Sequence, residues 1–276
     1  MLHRLENRLL ITTLLVAGCA AATVEATNDT SGSASTTAAP TAEPTSDPTA
    51  SATPSTTAAP TSDPTASAAP SGSAPPPGSM ADHFVQTVHI RDAVIWGKLS
   101  EAVKPAETLA GMEVAKLPKQ WHISMQHLQG AAKRIREGSD VQELAAATAD
   151  IARACGHCHG SAGGPKIVPG TPPDATGPVA ARMKRHRWAM ERLWEGLYGP
   201  SNAAWTAGAS ALELDPFSKE ILDPGGVHAK SAASTFNAQA KALAKAKTAD
   251  ERANAYSKML STCSPCHDAL KAKPKP

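Results

Sequence analysis

Four cysteines and two histidines carry the clearest chemistry in this sequence. They form Cys155-Gly-His-Cys158-His159 and Cys263-Ser-Pro-Cys266-His267, two copies of C-x-x-C-H. Two thiols three residues apart on a helical turn can reach the two vinyl groups of one porphyrin and form thioethers. The adjacent histidine then supplies a nitrogen to the iron as proximal ligand. Other uses of paired cysteines fit less well. A structural zinc site brings its pairs about 15–20 residues apart, whereas Cys158 and Cys263 are 105 apart. No strand pattern surrounds either motif, as a thioredoxin-like pair requires. Two disulfides each closing a tiny loop, each followed by histidine, make an odd framework. The expected cofactors are therefore two covalently attached haems c, held by Cys155, Cys158, Cys263 and Cys266, with His159 and His267 on iron. No nucleophile, paired-carboxylate or phosphate-loop motif accompanies them, which argues against a hydrolase or kinase.

The elements that position these residues repeat. The two motifs lie 108 residues apart, and Ala132-Lys133 matches Ala240-Lys241 at the same offset. Ser139-Asp140-Val141-Gln142 and Thr248-Ala249-Asp250-Glu251 read as capping boxes, starting helices over about 140–158 and 249–269 that end on the motifs. Third helices are expected over about 120–137 and 227–246, and second helices after Lys104-Pro105 and Gly199-Pro200-Ser201. Met80-Ala-Asp-His83 and Met183-Lys-Arg-His186 open amphipathic first helices, with Val85, Val88, Val94 and Leu99 in one and Trp188, Leu193 and Leu197 in the other. The reading is all-α: two tandem four-helix-bundle-like haem domains, 80–165 and 174–270, then a Lys/Pro tail, 271–276. Trp96, Trp121, Trp188, Trp194 and Trp205 read as core or haem packing in a chain with only 4% aromatic residues.

The N-terminal third is of another kind. Arg4 and Arg8 precede an apolar stretch too short for a membrane span, giving a signal peptide over 1–18. Val16-Ala17-Gly18-Cys19 resembles the cleavage box of bacterial lipoproteins, in which the cysteine becomes the lipidated first residue. Ala20 in place of an aspartate points to the outer rather than the inner membrane. Residues 19–79 are a disordered Ala/Thr/Ser/Pro linker with a repeated Pro-Thr-Ser-Asp-Pro-Thr-Ala-Ser-Ala unit. It carries five acidic residues, Glu25, Asp29, Glu43, Asp47 and Asp63, and no Lys or Arg, so the remainder of the chain is basic. That basic charge is too thinly spread for a nucleic-acid binder but suits an acidic protein partner. The expected location is the periplasmic side of the cell envelope, anchored to the bilayer by lipid.

The late position of both motifs resembles the cytochromes c prime and their low-spin relatives, four-helix bundles with C-x-x-C-H on the last helix. The resemblance covers about 80–270 as two copies, and Arg91-Asp-Ala-Val-Ile95 looks like the first-helix arginine motif of that family. The low-spin relatives place a methionine ligand four residues after the arginine. Here that residue is Ile95, which cannot ligate. Either the iron is five-coordinate, or another side chain reaches it. The first candidates for distal ligand are His83 and His186, the second Met80 and Met183, with Met190 a further option. His89, His122, His127, His157 and His228 read as polar or surface positions. The resemblance also implies that the halves pack on each other in place of that group's dimer contact. Together these features predict an electron carrier between redox protein partners rather than an enzyme. The alternative is haem-based ligand binding, such as nitric oxide, or peroxide reduction at an open iron.

Overall fold

In a computed structural model that describes residues 79–213 and 217–272, all regular structure is helical and no strand occurs among the described residues. The signal segment, Cys19, the linker as far as Gly78, Asp215, Pro216 and the tail from Lys273 lie outside them. No described helix is long and apolar enough to cross a membrane.

The first half consists of α1 (Met80–Ile95), α2 (Val103–Ala110), α3 (His122–Glu137) and α4 (Val141–Ala162). The second consists of α5 (Val179–Tyr198), α6 (Asn202–Glu213), the one-turn α7 (Lys219–Leu222), α8 (Gly226–Leu243), α9 (Ala249–Leu260) and α10 (Cys263–Ala269). Side chains at the helix starts explain several boundaries. Ser79 Oγ accepts from the Asp82 N–H at 3.1 Å and opens α1. Thr248 and Glu251 form the expected capping box of α9. The matching box in the first half is shifted by one residue. Asp140, not Ser139, caps α4 by accepting from the Glu143 N–H at 2.9 Å, and Glu143 reaches back to the Ser139 N–H. An ionised carboxylate is at least as good a cap as a hydroxyl, so Asp140 wins the position.

The single helix expected over 249–269 is broken. Pro265 cannot donate to the Ser261 carbonyl, and its ring would clash there. The chain therefore turns at Ser261–Thr262, and Thr262 Oγ1 donates to the Met259 carbonyl at 2.7 Å. The second motif thus has its own short helix, while the first continues α4. The α5 helix also starts four residues before Met183.

Neighbouring helices pack in sequence order in the first half, while in the second α8 is the hub on which α6, α9 and α10 pack, and α4 then joins the two halves. It packs on α3, α9, α5 and α1. Its buried positions Ala145, Ala147, Ala149, Ala152 and Ala154 keep the helix thin enough to be surrounded. Leu144 and Ile151 are fully enclosed (1% and 0% exposed), and truncating either to Ala should cost about 2–5 kcal/mol. The α4–α9 pair is antiparallel. Arg153, late in α4, pairs with Asp250 at the start of α9 (2.9 Å), while Gln142, early in α4, lines one groove with Ser261 and Thr262. The two C-x-x-C-H segments therefore lie at opposite ends of this pair. The first helices also run antiparallel: the Phe84 ring is 5.1 Å from that of Tyr198, and the Arg91 guanidinium sits 5.5 Å over Trp194.

Candidate haem sites

At the end of α4, Cys155, Cys158 and His159 fall at i, i+3 and i+4, so all three project from one helical face. Cys263, Cys266 and His267 repeat this on α10. Cys158, Cys263 and Cys266 are buried and Cys155 is half-buried, and all four are free thiols. Burial, with the neighbouring cysteine adding to it, pushes the thiols of Cys155 and Cys263 up to about 12. At neutral pH these two thiols are protonated.

The histidines show a more specific arrangement. His159 Nδ1 lies 2.6 Å from the carbonyl oxygen of Tyr198, and His267 Nδ1 lies 3.1 Å from that of Ile95. A carbonyl only accepts, so each Nδ1 carries the proton, and in the neutral ring Nε2 keeps the lone pair. Burial holds His267 below the usual histidine range, against the opposing effects of the Ile95 hydrogen bond and Asp268. An Nδ1–H fixed on a backbone carbonyl is the support that metal-bound imidazoles ordinarily have. Both acceptors are the last residue of a first helix. Each belongs to the other half.

Of the distal candidates, His83 lies in the first turn of α1, while His186 lies near the middle of α5, seven residues past its start. His83 is buried at 7% exposure, and neither ring nitrogen has a hydrogen-bond partner. Burial lowers its pKa, with Asp82 opposing. Its neighbour Phe84 packs on Tyr198, whose ring is 6.3 Å from His159, so His83 belongs to the end of the fold that holds the first motif. His186 has an unpartnered buried Nδ1 and packs against the rings of Phe217 and Phe236, at 5.7 and 5.0 Å, which also touch each other. Its pKa is pushed down to about 4, first by burial and then by the charge of His267. Buried nitrogens without partners are costly unless something satisfies them, and an iron in each half suits them. The residues present thus fit a haem at each motif. No group of three or more His, Cys, Asp or Glu able to hold a bare metal ion occurs among the described residues; a porphyrin-bound iron asks the protein only for axial ligands.

The remaining candidates are less well placed. Met80 is half exposed and Met183 partly exposed, while Met190 is packed in the core. His89, His127, His157 and His228 are exposed, and His122 Nε2 is 2.9 Å from the Leu117 carbonyl. Trp205 is a core residue whose indole N–H donates to the Leu243 carbonyl at 3.1 Å. Trp96 packs on the second motif itself: it stacks on His267 with centroids 4.4 Å apart and planes 26° apart. Arg91 faces the second half rather than a histidine. Tyr256, Asp92 and Glu191 hold its pKa above the usual value although burial opposes its charge. Sequence reasoning missed Tyr198 and the role of the Ile95 carbonyl as acceptor. The usable signal was the glycine that follows each first helix, Gly97 and Gly199, which marks where a terminal carbonyl is left over.

Comparison of the chain with known protein families, curated proteins and solved structures finds no match in any of the three.

Proposed function

We propose that the chain is a di-haem c-type cytochrome that carries electrons between redox protein partners at the periplasmic side of the cell envelope, held there by a lipid on Cys19. The observation that carries the reading is the pairing of two C-x-x-C-H segments with two proximal imidazoles oriented through Nδ1 on backbone carbonyls. In this reading each half is a four-helix haem unit. Cys155 and Cys158 anchor one haem, Cys263 and Cys266 the other. His159 and His267 ligate through Nε2, and His83 and His186 take the distal side. The bound haems supply one-electron chemistry at their irons. The protein contributes fixed axial ligands, so little has to rearrange when charge arrives, and walls of Ala, Leu and aromatic residues that keep water away. Strong imidazole donors on both sides favour the ferric state and a lower potential than His/Met ligation.

The test is the optical spectrum of the full chain made in a host that attaches haem c. Expected are two haems per chain, retained after denaturation, and a reduced spectrum that carbon monoxide leaves unchanged. His83→Ala and His186→Ala should each make one haem responsive to carbon monoxide. A chain without covalent haem overturns the proposal. An immediate carbon monoxide shift in the parent protein replaces electron transfer with ligand binding or peroxide chemistry at an open iron.

A further inference from the structure

Each proximal histidine takes its support from the far half of the chain. His267 and Ile95 are 172 residues apart, His159 and Tyr198 39 apart, and neither hydrogen bond stays within its own half. The backbone is fitted to this exchange on both sides. Gly97, just past α1, has φ +66°, and a Cβ there would lie 3.1 Å from the Cβ of Ser264, inside the second motif. Gly156, inside the first motif, lets the end of α5 approach so closely that a Cβ would lie 2.2 Å from the Leu197 carbonyl oxygen. One side chain adds to the backbone contact. Trp96 follows the acceptor Ile95 directly and covers the face of the His267 ring.

We infer that each haem site is completed by the opposite half, and that Trp96 is a positioning residue for His267. The inference rests on the haem reading above. Its physical content is a division of labour along α1. One end carries His83 toward the first motif. The other end, 12 residues or about 18 Å further on, holds the ligand of the second. The α5 helix does the same in reverse, with His186 and Tyr198. An Nδ1–H bound to a carbonyl makes the imidazole a stronger donor and stabilises the ferric iron. Loosening the end of α1 should therefore raise the potential of the second haem and leave the first unchanged, although the altered residue lies in the first half. The Trp96 ring matters because stacking fixes the plane in which Nδ1 meets the Ile95 carbonyl.

The experiment uses the full chain in two single-haem backgrounds. Cys155→Ser with Cys158→Ser leaves only the second haem, and Cys263→Ser with Cys266→Ser only the first. Trp96→Leu is placed in each, and the midpoint potential is read by optical redox titration. The expected result is a rise in the midpoint of the second haem, no change in the first, and recovery of most of the shift by Trp96→Phe, which keeps a flat ring. Gly97→Ala should shift the second haem in the same direction, because its strained φ displaces the Ile95–Trp96 turn. An unchanged second midpoint overturns the inference. So does an equal shift, or loss of haem, in both backgrounds, because Trp96 then supports the fold as a whole and not one imidazole. Parent backgrounds that carry no covalent haem overturn the haem reading itself, and this inference with it.

Discussion

Two glycines four residues apart on α4 should respond oppositely to the same substitution. At Gly156 an added Cβ would meet the Leu197 carbonyl oxygen at 2.2 Å, with the Leu197 carbonyl carbon at 3.4 Å and Pro200 at 3.8 Å behind it. The obstructing atom is backbone at the end of a helix, so no side-chain rotation relieves it. The ends of α4 and α5 must part. Overpacking of this kind costs about 1–3 kcal/mol. For a folded unit of about 190 residues, 1 kcal/mol moves Tm by about 2–4 °C. Gly156→Ala should therefore lower Tm by about 2–12 °C. At Gly160 the nearest atom to an added Cβ is a Pro200 carbon at 4.0 Å, which is ordinary contact. There the better helix propensity of alanine is gained without strain, about 0.5–1 kcal/mol, and Tm should rise by about 1–4 °C. The assay is thermal unfolding of the two variants followed by circular dichroism at 222 nm. Because α5 ends on the carbonyl that orients His159, Gly156→Ala should also alter the spectrum of the first haem, whereas Gly160→Ala should not. Equal stability of the two variants would show that α4 and α5 do not meet at Leu197, and the crossed support of His159 would fall with that contact.

Two further outcomes are expected. Glu251 accepts hydrogen bonds from the N–H groups of Thr248 and Lys247, and these bonds hold its pKa below the ordinary 4.5. A depressed carboxylate stabilises the fold above its unfolded pKa and loses that effect as pH falls through the lower folded value. Glu251→Gln should thus melt below the parent at pH 7, with the gap closing as pH drops below about 4.5; a constant gap across that range would contradict the assignment. Cys19→Ser should release the chain from the membrane fraction into the soluble fraction, and its retention in the membrane would rule out a lipid anchor on that residue.

The parts of this molecule legible in the sequence are those written in local side-chain chemistry. Capping residues located α4 and α9, the breakers Leu117-Pro118 and Asp223-Pro224-Gly225-Gly226 located α3 and α8, and cysteine spacing located both motifs. The misplaced boundaries also have local causes. Ser139 and Asp140 compete for one cap, and Pro265 breaks a helix that the apolar pattern alone would continue. The support of the proximal histidines was not legible for a different reason. Its acceptors are main-chain oxygens, which every residue has, and they come from the opposite half of a duplicated chain. A repeat at a near-constant offset invites each half to be read as self-contained. The residues matched at 103 in the first helices and at 108 in the motifs, and nothing in either offset says that the end of each first helix supports a histidine of the other half.

The segment between the halves explains how the end of α5 comes to the first motif. It leaves α4 at the first motif and must begin α5 so that α5 ends back at that motif. It therefore has to run the length of α5 in the opposite direction. Contacts along it follow that course: Ile167 lies against Gly199, Arg192 donates to the Pro169 carbonyl at 3.0 Å, and Arg185 to the Pro173 carbonyl at 2.8 Å. From Gly199 back to Arg185 is 14 helical residues, about 21 Å. The strap has six steps from Ile167 to Pro173, at most about 20 Å when extended; Gly170 has φ +68° and shortens it, and the long Arg185 and Arg192 side chains reach across the remainder. Pro169, Pro172 and Pro173 favour such a conformation, and a second helix there could not span the distance. A short turn after α4 would instead start α5 beside the first motif and carry Tyr198 away from His159. The proline-rich strap is thus what returns the end of α5 to the first motif, and the crossed support of His159 depends on it.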